Sequence, residues 1–114
     1  MNKLLLKLRN FSKQVKDYYP TYLAAHSKRG TKLAHLAGNI ITLGYIAFVL
    51  RLSAENLWCL FMLPYAPVII YFFAWPSHFF IEKNKPATFT VSPFITKACD
   101  WIMVKDIIIG KVKL

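Results

Sequence analysis

The stretch WPSHFFIEKNKPATF, residues 75–89, ends a long apolar run with His78 and Glu82, four residues apart, before the basic turn Lys83-Asn84-Lys85-Pro86. On a helix this spacing puts an imidazole and a carboxylate on one face, one turn apart. A plain i,i+4 hydrogen bond would account for that. A metal site would account for it too, because imidazole is the commonest transition-metal ligand and three around one ion is a recurrent catalytic arrangement. The chain has three histidines, His26, His35 and His78. With these as ligands, Glu82 is a fourth ligand, an acid/base group, or a partner that orients an imidazole. Tyr22, one turn before His26, supports such a site or serves as an interfacial aromatic. Lys83 and Lys85 draw in an anionic substrate or act as membrane anchors.

The elements that must bring these residues together are helical. Residues 1–30 read as an amphipathic region with a break at Pro20: Leu4, Leu5, Leu8, Phe11 and Val15 recur at helical spacing, with Lys3, Lys7, Lys13 and Lys16 between them. That pattern suits a helix lying in a membrane interface and one packed on the rest of the protein equally well. Gly30-Thr31 reads as a helix end followed by a cap, and a first span over 32–52 follows. Its uncharged core, LAGNIITLGYIAFVL, reaches only about 22 Å, short for a hydrocarbon core of about 30 Å, so the helix must extend or its flanks must snorkel. A second span over 57–82 holds no charge before Glu82 and contains Pro64, Pro67 and Pro76, which predicts a kink near 64–67. The tail, 87–114, reads as an extended connector, ATFTVSP, and then an amphipathic helix.

Composition supports a membrane location. Hydrophobic residues make up 56% of the 114 and aromatics 16%, more apolar surface than so short a chain buries within itself. Net charge is +10. A basic chain suits nucleic acid or an anionic membrane; no nucleic-acid recognition motif is present, and the hydropathy favours the membrane. Eight Lys/Arg precede the first uncharged span, six follow the second, and only Arg51 lies between. The positive-inside rule then places both termini in the cytoplasm, at an inner membrane if the protein is bacterial. In that topology the start of the first span meets the end of the second, gathering His26, His35, His78 and Glu82 at the cytoplasmic rim. Cys59 and Cys99 form no ligand pattern, and MNKLLLKLRN has too short an apolar stretch for a secretory signal.

Two motifs, YLAAHSKRGTKLAH and SHFFIEKNKPATF, resemble a family of small membrane proteins. Its characterised members are 2-hydroxy fatty acid dioxygenases of the eukaryotic endoplasmic reticulum, active in phytosphingosine breakdown; it also includes shorter bacterial relatives. Tyr22, His26 and His35 match its first motif, and His78, Glu82, Asn84, Pro86 and Ala87 its second. Thr88, Phe89, Asp100 and Met103 fit the short form. Ser77 stands where glycine is usual and Thr31 where asparagine is common. The resemblance implies Fe(II) held by His26, His35 and His78, with zinc an alternative for the same ligands. It also implies oxygen and a 2-hydroxy acid as substrates, and Lys83, Lys85 or Arg29 near the substrate carboxylate.

The fold expected is all-α: a small integral membrane protein, an antiparallel transmembrane helical hairpin with flanking amphipathic helices. The leading function is a membrane-bound Fe(II)-dependent dioxygenase on 2-hydroxy fatty acids. The alternative is a non-enzymatic hairpin for lipid binding or membrane-protein assembly. The sequence leaves the oligomeric state open.

Overall fold

A computed structural model of the chain describes residues 2–86 and 91–114. Most of the expected ATFTVSP connector, including Ala87, Thr88 and Phe89, lies outside the described residues. Within them the chain is all helical, with no strand. Helix α1, Lys3–Ala24, is capped by Asn2, whose side chain accepts the Leu4 N–H at 3.0 Å. It runs through Pro20 without the break expected there. Proline removes one amide donor, and the turns on either side carry the helix across it.

The chain turns over residues 25–28, and α2 spans Arg29–Ser53. The turn therefore comes before Gly30-Thr31, and Gly30 lies in the first turn of α2. A Cβ there would sit 3.0 Å from the Ile81 side chain, so the glycine serves close packing rather than a helix end. At roughly 1.5 Å per residue, the 25 residues of α2 reach about 38 Å, which removes the shortfall of the uncharged core.

The second apolar segment has three parts. A 3₁₀ helix over Leu57–Tyr65 starts at an Asn56 cap. Helix α3 covers Ala66–Pro76, with Pro67 in its first turn. A π-helical turn, Ser77–Glu82, follows. The change from 3₁₀ to α falls between Pro64 and Pro67. The π turn begins directly after Pro76, whose missing N–H has already interrupted the α-helical ladder. Ser77 is buried, and its hydroxyl is satisfied by the Ala74 carbonyl at 2.6 Å.

Helix α4, Pro93–Ile108, starts with Ser92 as cap and Pro93 in its first turn. It packs on α1 through a core of Val15, Tyr22, Cys99 and Met103. Only the C-terminal half of α1 is covered in this way; Leu4, Leu5, Leu6 and Leu8 are exposed. Tyr19 donates to Asp106 at 2.7 Å across the same pair, and burial followed by that bond pushes its phenol pKa up.

Two helices, Arg29–Ser53 and Leu57–Glu82, are long and apolar enough to cross a membrane. Their most apolar windows are only 28% and 17% buried, whereas the core helix of a soluble domain would be mostly covered. They pack against each other as a hairpin, with a close approach at Gly38, where a Cβ would lie 3.1 Å from Phe73 Cβ. Leucine at position 38 should force α2 and α3 apart and destabilise the fold by about 1–3 kcal/mol. Thermal unfolding of Gly38→Leu in detergent checks this; an unchanged midpoint would show that the contact is not a constraint.

Candidate metal centre

Each histidine comes from a different local structure. His26 lies in the turn after α1, His35 two turns into α2, and His78 in the π turn. All three are buried: 0%, 6% and 2% exposed. Ring centroids are 4.5 Å apart for His26–His35, 4.4 Å for His26–His78 and 5.4 Å for His35–His78. One ring nitrogen from each lies within 4.8 Å of the others, a group able to hold a metal ion.

The hydrogen bonds decide which nitrogens face inward. Nδ1 of His26 is 2.7 Å from the Tyr22 carbonyl. Nδ1 of His35 is 3.2 Å from Asp100 Oδ1. Nδ1 of His78 is 2.8 Å from Asn84 Oδ1. A carbonyl and a carboxylate can only accept. The Asn84 amide is oriented by its NH₂ donating to the Ala25 carbonyl at 3.1 Å, so its oxygen also accepts. Each Nδ1 therefore carries a proton, and in the neutral imidazole each Nε2 keeps its lone pair. Nε2 of His26 and Nε2 of His35 are buried with no hydrogen-bond partner, which is costly unless a donor or a metal ion meets the lone pair. Three imidazoles held through Nδ1–H, with inward Nε2 lone pairs, form a donor set that fits a transition metal.

The orienting groups are themselves held. Asp100 is buried on α4 and also accepts from Asn39 at 2.9 Å and from Lys97 at 3.0 Å. Burial raises its pKa, but the His35 hydrogen bond, the His35 and Lys97 charges and the Asn39 amide outweigh this and bring it to about 2. Lys83 takes a left-handed conformation, φ 59°, and this reverses the chain so that Asn84 reaches back to His78 and its N–H meets the His78 carbonyl at 2.9 Å. Tyr22 stacks on His26 with centroids 3.9 Å apart. Burial and the nearby Asp100 push its phenol pKa up.

Of the residues singled out in the sequence, His26, His35, His78 and Tyr22 come together here. Glu82 faces elsewhere: Oε1 accepts the Lys28 N–H at 2.6 Å and Oε2 the Ser27 hydroxyl at 3.1 Å. Its carboxylate thus sits at the positive start of α2 and ties down the turn that carries His26. Lys83 and Lys85 are exposed beside Phe79 and Phe80, in a separate depression. Arg29 is also exposed. The sequence reading gave no site role to Asp100, Asn84, Asn39 or Lys97. Asp100 and Asn84 lie in matched motifs, but no spacing rule shows that their partners come from α2 and the π turn.

The imidazoles line one end of a largely apolar cavity of about 360 Å³, which continues along α2 and α3 past Thr42 to Ile46 and Ala66. Between His35 and Ile46 the α2 axis advances about 16 Å. That volume lies within the usual range for small-molecule sites.

Burial, and then the charge of His35, bring the His26 imidazole from 6.5 to about 3. Between those values the unfolded chain takes up a proton that the folded chain refuses, so stability falls as pH drops through this window. Asp100 acts in the same direction between 3.8 and about 2. Metal-free protein should therefore lose its near-UV signal on acidification, with a shallower dependence between pH 6.5 and 3 in His26→Gln. Equal slopes in the two proteins would place the acid sensitivity elsewhere.

Searches of curated proteins and of solved structures found no match. A family model described as 2-hydroxy-palmitic acid dioxygenase Mpo1-like matches residues 12–112, taking in all three histidines, Asn84 and Asp100. The chain belongs to this Mpo1-like family.

Proposed function

We propose that this protein is an integral membrane Fe(II)-dependent dioxygenase that shortens 2-hydroxy fatty acids by one carbon. The observation that carries the reading is the trio of buried imidazoles, each held through Nδ1 so that its Nε2 points inward. The family description names a 2-hydroxy acid dioxygenase, which agrees with that chemistry. Atoms balance without a further reductant: a 2-hydroxy acid and O₂ yield the acid one carbon shorter, CO₂ and water.

His26, His35 and His78 would hold the metal. Fe(II) bound there supplies open coordination positions and redox capacity toward a hydroxyl–carboxylate chelator and oxygen. Asp100 and Asn84 fix the tautomers and ring orientations of His35 and His78. Tyr22 does the same for His26 through its carbonyl and packs against the ring face. Glu82 acts at one remove, by holding the turn that carries His26. The apolar cavity takes the acyl chain and keeps bulk water from the imidazoles. The hairpin crosses the membrane with both termini on the cytoplasmic side, so the head of the substrate reaches the boundary while its chain stays among apolar side chains.

The decisive experiment is metal analysis of tag-free protein purified without oxygen, wild type beside His78→Ala, followed by assay of 2-hydroxyhexadecanoate. Wild type should carry about one iron per chain and release the acid one carbon shorter, and the variant should lose both. No metal after Fe(II) reconstitution would leave the lipid-binding or assembly hairpin as the better account. The far end of the cavity gives a second test. Ala66 is buried and lines it, so Ala66→Phe should shift turnover toward shorter 2-hydroxy acids. An unchanged chain-length profile would show that the chain does not extend to Ala66.

A further inference from the structure

Lys97 was not among the lysines expected to meet a substrate, yet it lines the cavity that the imidazoles close. Among the described lining residues it is the one with a fixed positive charge. Its side chain is 39% exposed, while the three histidines are at most 6% exposed, so it reaches the outside as they do not. The ammonium is held in place: it donates to Asn39 Oδ1 at 2.6 Å and to Asp100 Oδ2 at 3.0 Å, and lies 5.1 Å from the centre of the Trp101 ring. An ammonium has three donors, and these two bonds leave one N–H. Asp100, which holds the ammonium, also holds Nδ1 of His35. Charge for an anion and orientation of one imidazole therefore share a single carboxylate.

We propose that Lys97 receives the carboxylate of the substrate, with its third N–H as donor, and so sets how far the head of the chain enters toward the imidazoles. This rests on the cavity being an acyl site, as the proposed function has it. A lysine on a largely apolar wall selects an acid over a neutral lipid of the same length, because a carboxylate pairs with the ammonium by charge as well as by hydrogen bond, and a neutral head by hydrogen bond alone. Lys83 and Lys85, exposed in a different depression, have no such access.

The test compares hexadecanoate with hexadecanol, binding to the full chain in phosphatidylcholine nanodiscs, corrected for empty discs, with metal counted in every sample. Wild type should prefer the acid by about tenfold or more, from one charge-assisted bond. Lys97→Gln should lose that preference at equal metal content, through weaker binding of the acid with the alcohol unaffected, and Lys97→Arg should restore it. A Lys97→Gln chain that keeps the preference overturns the proposal. So does a wild type without preference, or a loss that only follows lost metal. Metal content reports separately on the dioxygenase reading: iron-loaded protein with unchanged acid preference in Lys97→Gln would sink the role of Lys97 alone.

Discussion

A buried imidazole has two ring nitrogens and in its neutral form one proton, so an acceptor on one nitrogen leaves a lone pair on the other. The centre of this protein depends on that constraint being met three times. A backbone carbonyl, a carboxylate and an oriented amide each take one Nδ1–H, which leaves the three Nε2 atoms available to a ligand. Without the outer acceptors the rings could turn or change tautomer. With them, the three imidazoles form a group able to hold a metal ion.

Each acceptor belongs to a different part of the fold, so the site holds the molecule together as much as the molecule holds the site. The Tyr22 carbonyl comes from α1, Asp100 from α4 and Asn84 from the end of the π turn. The α1–α4 pair packs through its own small core and meets the apolar hairpin largely at this cluster. The irregular second span has a use here. The wide turn after Pro76 and the left-handed Lys83 bring His78 and Asn84 back onto one another, which a continuous α-helix would not do.

Glu82 and Asp100 show how far sequence spacing reaches. Four residues from His78 on a helix, Glu82 reads as its neighbour, but the chain uses its carboxylate on Ser27 and Lys28, more than fifty positions away in sequence. Asp100 lies 65 positions from His35 and holds it. Local spacing predicts local partners. A carboxylate goes where donors lack acceptors, and here those donors are the Lys28 amide just before α2 and a buried imidazole.

The sequence by itself determined the helical class, the two long apolar segments, the proline-broken second one and the three histidines as candidates for a metal site. These are properties of periodicity, composition and residue chemistry, which need no knowledge of packing. It also carried the family in two short motifs. The turn at 25–28, the passage of α1 through Pro20, the packing role of Gly30 and the orienting pairs Asp100–His35 and Asn84–His78 were decided only by the tertiary structure. So was the placing of Lys97, rather than Lys83 or Lys85, on the cavity wall. Each of these depends on which donor meets which acceptor, and on how closely two backbones approach, across helices distant in sequence.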